Sequence, residues 1–251
     1  MIYFDSHITD KRPKIGWQNL SESASASTSV PGFPASAVLN PMTYERWMPA
    51  VAPANIDIDL GSIQSVGYVG IAAHTLIGAA VVISHSDDGT TWSEVTAIIP
   101  VDNSPIMYVF EAISARYWRF GIGKVAEIGV IYIGNILTMQ RKLYGGHSPG
   151  LLARQTDILP NISQTGQFLG RSISRKGYAT TYQFRNLEAQ WVRDELDPFV
   201  ESALSRPFFI AWKPERFPKE VLYGWCNSDI TPVNQGQRDL MSVSFQIEAI
   251  A

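Results

Sequence analysis

The sequence predicts a mainly β protein: a β-sandwich followed by an α+β unit that carries one amphipathic helix. Three observations predict it. Short β-branched runs separated by turn residues recur from Ile56 to Leu137, with no helical stripe among them. One later run, residues 187–204, places its apolar side chains at helical spacing instead. Charge and pattern both change near position 139. Residues 1–138 hold seven basic and twelve acidic side chains, net −5, and residues 139–251 hold thirteen and eleven, net +2. A chain of 251 residues with 45% hydrophobic content is long enough to bury more than one core.

Residues 1–20 read as an irregular arm, because Lys11-Arg12-Pro13-Lys14 is polar and broken by proline. The serine-rich stretch 21–29 admits two readings, a flexible linker or a strand, and its alternation of serine with alanine favours the strand. Ile56-Asp-Ile-Asp-Leu60 alternates strictly and stops at Gly61. Further strands are expected at 66–73, 79–84, 95–99, 107–110, 117–122 and 126–137. The turn Ser86-Asp87-Asp88-Gly89 needs a left-handed glycine and aspartates that cap through their side chains. Trp47 and Trp92 are expected in the core, where aromatics bury the most surface. Arg116 and Arg119 are expected to form rim ion pairs with nearby carboxylates.

Past a glycine-rich loop at 145–150, residues 166–174 and 178–185 flank Arg175-Lys176-Gly177, which reads as a hairpin turn with Gly177 left-handed. In the helix, Leu187, Trp191, Leu196, Phe199, Val200, Ala203 and Leu204 form the apolar stripe, and Asn186 is the expected N-cap. Pro198 should kink or split it, with Asp197-Pro198 starting a second segment. Strands at 208–212, 221–226 and 241–250 complete an α+β domain spanning 139–251.

Composition narrows the function. A net charge of −3 gives no basic field to hold DNA or anionic lipid. The most membrane-like stretch, 66–84, is interrupted by His74 and three glycines, so no membrane partner is expected. The start lacks the basic and apolar regions of a secretory signal. With Cys226 alone no intrachain disulfide forms, and synthesis in a reducing cytoplasm is expected. There is no G-x-S-x-G elbow, no H-E-x-x-H and no phosphate-binding glycine loop, so no enzyme activity and no cofactor are expected. Asp57, Asp59, Asp87, Asp88 and Asp102 offer the hard oxygens calcium takes. His7, His74, His85 and His147 are scattered, so no zinc site is expected.

Four stretches carry a family likeness. They are Ala35 to Trp47, Ile56-Asp-Ile-Asp-Leu-Gly61, Ile83-Ser-His-Ser-Asp-Asp-Gly-Thr-Thr-Trp92 and Ala115-Arg-Tyr-Trp-Arg-Phe120. Together and in this order, residues 21–138 resemble the galactose-binding-like family, the jelly-roll of discoidin and coagulation-factor type C modules. That resemblance implies ligand loops at one end of the sandwich, here 40–46, 74–78 and 101–106, with Tyr44, Arg46, His74 and Asn103 as the candidate sugar site. The family's calcium loop reads Asp-Gly-Asn where this chain has Asn40-Pro41-Met42, so no metal is expected there. Residues 139–251 resemble a phage distal-tail or tail-tube domain in the order and character of their elements. This second resemblance implies a homo-oligomeric ring, a hexamer, between the tail tube and the tail hub or tip. Arg171, Arg175, Lys176 and Arg185 would then line an oligomer contact or a lumen touched only transiently by passing DNA. The combined expectation is a structural virion protein of a long-tailed phage baseplate, made in the host cytoplasm, whose carbohydrate-binding-type module meets a host surface glycan. The alternative is a monomeric carbohydrate-binding accessory protein of a polysaccharide-degrading system.

Overall fold

A computed structural model describes residues 1–250. The protein is mainly β, with two sheet systems and one helical run. The first system contains β1 (Ile2–Phe4), β3 (Ser23–Ala26), β4 (Ala54–His74), β5 (Val81–Ser86), β6 (Ser93–Ile98), β7 (Ile106–Ile122) and β8 (Ile128–Gly134). The second contains β2 (Lys14–Gly16), β9 (Leu137–Thr138), β10 (Arg154–Ile162), β11 (Phe168–Glu188), β12 (Phe208–Ala211), β13 (Val221–Trp225), β14 (Val233–Asn234) and β15 (Leu240–Ile250).

The first system folds over itself into the sandwich. Strands β4 and β7 are long enough to serve both of its layers. Ala54 to Asp59 pair with Tyr117 to Ile122 in one layer, and Tyr68 to Ile71 pair with Ile106 to Val109 in the other. Register shifts between these stretches mark where both strands bend. The core between the layers is built from alternate residues, among them Ile56, Ile58, Val69, Ile71, Trp118 and Phe120, all essentially inaccessible. The serine-rich stretch is indeed a strand: β3 pairs with β4 from Ser23↔Asp59 to Ala26↔Ile56.

The arm expected at 1–20 supplies a strand to each system. β1 runs parallel to β7, and β2 lies antiparallel between β12 and β9. Proline and lysines in that stretch mask the pairing from sequence alone. Lys14 is buried within β2, and its ammonium donates to the Thr138 hydroxyl at 2.7 Å.

Strands β12 and β13 are covered on both faces. Phe208, Ile210 and Leu222 face the second domain's own core, with Tyr182, Phe199 and Phe245. Phe209, Val221 and Tyr223 face the sandwich, where they meet Tyr68, Met107 and Tyr132. Burial on both sides explains the unbroken apolar reading of Phe208-Phe-Ile-Ala211, since alternation is lost when no face meets water. The layers approach closely at Gly70, where a Cβ would stand 2.7 Å from the Phe209 ring. Tyr132 packs edge-on to Phe209 at 5.5 Å, and its hydroxyl donates to the Pro207 carbonyl at 2.9 Å. The two sheet systems are thus joined by a third apolar layer.

Several local expectations need correction. Arg175-Lys176-Gly177 is no turn: β11 runs straight through it, with Gly177 opposite both Gln155 and Ile250. The hairpin instead turns at 163–167, where Gly166 adopts φ +83° and donates to the Ser163 carbonyl. Ladder bonds on both sides of Gly177 override the turn propensity of Lys-Gly. The helix extends over residues 189–203 without splitting, because its middle turn, Val192–Leu196, is π-type just before Pro198. Widening the turn accommodates the missing proline N–H and shifts the apolar stripe. Val192, Leu196, Phe199 and Ala203 are therefore the buried face, while Leu204 is exposed. Asn186 is not the N-cap; it is left-handed at φ 56°, two residues before the capping position at Glu188, and its amide donates to the Tyr144 hydroxyl.

Candidate functional site

The loops at one end of the sandwich are stiffened by their own polar side chains. After the short 3-10 turn Ala35–Leu39, the Asn40 side-chain oxygen accepts the Met42 N–H at 3.0 Å, and its amide donates to Glu45 at 2.9 Å. The Pro41 carbonyl accepts the Tyr223 hydroxyl at 2.6 Å, so this loop is anchored to the second domain. Arg46 pairs with Glu127 at 2.6 Å. Trp47, next in sequence, is fully buried and donates its indole N–H to the Ser29 hydroxyl at 3.0 Å.

Three of the four sugar-site candidates come together. Arg46, His74 and Asn103 line a cleft of about 640 Å³ between this end of the sandwich and the second domain. Thr43 and Asp102 complete the first domain's wall; Lys176 and Tyr178 belong to the other. Within that group the roles differ. His74 is 4% exposed, its Nε2 lies 2.9 Å from the Ser104 carbonyl, and its Nδ1 accepts the Leu76 N–H. Burial pulls its pKa down to about 4, so the ring is neutral at pH 7 with both nitrogens engaged. It holds loops 75–78 and 103–105 in place and has no free nitrogen for a ligand. Asn103 accepts the Ile77 N–H through its oxygen at 3.0 Å, which leaves its amide donors toward the cleft.

Tyr44 is not part of this group. It is 76% exposed and borders a neighbouring apolar groove of about 460 Å³, with Leu204, Pro207, Tyr223 and Trp225. Thr43 lines both hollows, so the loop divides them. Cys226 also borders this groove, and burial raises its thiol pKa to about 11.

The four basic candidates of the second domain sit in separate surroundings. Arg175 pairs with Glu248 at 2.6 Å, Lys176 faces the interdomain cleft, and Arg185 lies 5.0 Å from the Tyr144 ring centre while bonding Gln183. Arg171 is exposed on the outer part of the hairpin. Alternation in the strand sends Arg175 and Lys176 to opposite faces.

On the opposite side of the sandwich, Asp57 receives a bidentate Arg119 at 2.7 Å and Asp59 a bidentate Arg116 at 2.8 and 2.9 Å. These carboxylates serve the expected ion pairs. Trp92 was expected in the core but is half-exposed, with the Arg119 guanidinium 4.0 Å from its ring centre. Hairpin geometry places it beyond the end of β5 and β6, over the sheet's outer face. Asp88 caps its turn by accepting the Thr90 and Thr91 N–H groups, which hold its carboxyl well below the usual range. Among the described residues no group of three His, Cys, Asp or Glu side chains could hold a metal ion, and no helix is long and apolar enough to cross a membrane.

The fold at this end of the chain is a jelly-roll-type β-sandwich. No protein-family description and no curated protein matches the sequence. Solved structures that resemble parts of it include carbohydrate-binding modules. Chitosan-binding module 1 of a chitosanase/glucanase from Paenibacillus sp. IK-5 is 26% identical, with a TM-score of 0.43, over 47% of this chain and 99% of that one. A pectin-binding carbohydrate-binding module is 17% identical, with a TM-score of 0.42, over 47% and 93%. A family 32 module from Clostridium perfringens, in complex with GalNAc-β-1,3-galactose, is 14% identical, with a TM-score of 0.41, over 45% and 94%.

Proposed function

We propose that the protein binds a glycan without acting on it chemically, and that the interdomain cleft is its ligand site. One observation carries this reading: Arg46 and Asn103, singled out in the sandwich loops, share a concave site with Lys176 and Tyr178 of the second domain. Such a site offers an aromatic flank and a few convergent polar groups, the surface a sugar ring needs. Retention of the full chain on immobilised bacterial surface polysaccharide tests it. Asn103→Ala and Lys176→Ala should each reduce retention while the melting temperature holds, and unchanged retention in both would refute the cleft.

A second reading concerns assembly, and the exposed hairpin favours it. Residues 154–176 form a two-stranded ribbon whose outer part lies beyond the reach of β15. It presents Leu159, Ile162, Phe168 and Leu169 to solvent, each more than 60% exposed. A bare two-stranded ribbon is marginal in water, and such an apolar surface calls for a cover. We infer that copies of the chain cover it by closing into a ring, as expected of a distal-tail component of a phage virion. Light scattering on the full chain tests this: a single monomer mass at every concentration would leave the monomeric accessory protein as the reading.

A further inference from the structure

The outer face of the sandwich holds a third hollow, which shares no lining residue with the cleft or the groove. It lies over β4, β7 and β5, the three middle strands of the layer ordered β3-β4-β7-β5-β6, at the end where β4 and β5 begin and β7 stops, and its volume is about 270 Å³. Its rim and walls include Pro53, Asn55 and Arg119, and its floor includes Val82, Ser84 and Gly121.

The hollow exists because of a glycine that the backbone does not need. Gly121 is in β7, the middle strand of five, opposite Asn55 of β4 and Val82 of β5. Its φ is not in the left-handed region. An added Cβ would meet only the Asn55 side-chain oxygen, at 3.1 Å, with Val82 next at 3.8 Å. Glycine within a central strand, here one residue from its end, packs no side chain and often marks close approach by another group. Nothing else in the chain fills the space.

A second, independent observation points to what belongs there. Ser84 is only 8% exposed, shares its face with Arg119 across the ladder, and lines the hollow. Its hydroxyl opens onto the hollow, as does the Asn55 side chain, whose backbone N–H is taken by the Ser27 hydroxyl. A hydroxyl open to the hollow can both donate to and accept from a molecule that enters it.

Arg119 is held in a fixed pose over the same space. Its Nε and Nη2 donate to Asp57, its face lies on Trp92, and its Nη1 donors remain free. Because Asp57 balances the guanidinium, the hollow carries almost no net charge. It presents free donors from Arg119, groups that both donate and accept on Ser84 and Asn55, and an apolar floor. Sugar hydroxyls also both donate and accept, and a pyranose ring offers a C–H face to an apolar floor. A carboxylate-bearing sugar would find no uncompensated cation.

From these observations we propose that the hollow is a binding site for one or two rings of a neutral saccharide, separate from the interdomain cleft. Trp92 acts as a positioning residue, fixing the guanidinium from its far side. The site does not depend on the cleft being functional.

Saturation-transfer NMR on the full chain tests it, with the methyl glycosides of glucose, galactose and N-acetylglucosamine as separate probes. At least one should receive transfer. Gly121→Val, which fills the hollow, should abolish that signal, and Ser84→Ala should weaken affinity by roughly tenfold, the worth of about one oriented hydrogen bond. Both are made in an Asn103→Ala/Lys176→Ala chain, so that sugar held in the cleft does not contribute to the signal. If Gly121→Val lowers the melting temperature, Ser84→Ala decides, since it removes one oxygen and adds no volume. Absence of transfer from all three probes overturns the proposal, as does transfer that survives both substitutions. A signal already lost in the Asn103→Ala/Lys176→Ala chain, before either hollow substitution is added, would assign the sugar to the cleft and remove it from the hollow.

Discussion

Strands β12 and β13 and the outer part of the β10–β11 ribbon are similarly apolar, yet they meet opposite fates. Phe208-Phe-Ile-Ala211 is buried on both faces between two layers. Phe168 and Leu169 stand in water at 70% and 65% exposure. The same residue types therefore stabilise the fold in one place and remain uncovered in the other. Apolar surface that folding leaves exposed on a projecting ribbon is surface reserved for contact with something else.

The comparison breaks first at the doubly covered strands. Phe209→Ala removes a ring that touches Tyr132 and Tyr223 in the layer between the domains. A fully buried phenylalanine truncated to alanine costs about 3–5 kcal/mol. Urea denaturation should show one transition moved to lower denaturant. Two separate transitions, with only one displaced, would mean that the layer does not couple the domains.

His74 offers a smaller effect with a defined pH window. Its pKa falls from 6.5 to about 4 on folding, chiefly through burial. The unfolded chain takes up the proton first, so the stability that neutral His74 contributes is fully present above pH 6.5. It is lost progressively as pH falls toward 4 and amounts to about 3 kcal/mol in total. His74→Gln should flatten the stability profile across that window. An unchanged slope would show that other groups produce the pH dependence.

Trp92 sharpens the contrast between core and surface aromatics. Trp47→Ala empties a fully buried site, whereas Trp92→Ala removes a half-exposed ring whose main partner is the Arg119 guanidinium. The latter should cost about 1 kcal/mol, close to the value of an exposed cation–π contact. A loss comparable to that of Trp47→Ala would show that Trp92 supports the sheet itself.

The ribbon should give the smallest change in stability. Phe168→Ser combined with Leu169→Ser should alter the unfolding free energy by less than about 0.5 kcal/mol, as exposed substitutions do. The same double variant should lower the mass measured in solution if copies meet through the ribbon. A large stability loss would mean that the ribbon packs against its own chain.

Much of the fold was legible because local rules and tertiary context agreed. Ile56-Asp-Ile-Asp-Leu60 alternates, and it forms a strand with one face in the core and one on Arg119. The Ser-Ala alternation of β3 was readable for the same reason. Where context overrode local preference, the reading failed. Lys176-Gly177 has the character of a turn, but ladder bonds on both sides keep it extended. The π-turn before Pro198 moved the helix stripe by a position that no periodicity could reveal. Arg46, His74 and Asn103 were traceable to one end of the sandwich. Lys176 and Tyr178 were not, because their place in the cleft depends on how two domains pack. Trp92 was misplaced since residue type alone does not say which side of a sheet a hairpin end covers. The outer-face hollow had one signal in the sequence, a glycine inside the β-rich run Tyr117 to Ile122.

Strand β2 has a consequence for how the chain is made and taken apart. Residues 14–16 leave the ribosome early, yet their partner in β12, residues 209–211, follows nearly two hundred positions later. During synthesis this strand can meet β9 once residues 137–138 emerge, but its other edge stays open until β12 arrives, and only then does the second sheet close. Contacts of such sequence separation slow folding. The same threading means that the domains are interlocked and not merely tethered. A protease cutting the connection at 141–149 would leave one fragment still holding a strand inside the other's sheet. The nicked molecule should stay together as a complemented pair until denaturant draws that strand out.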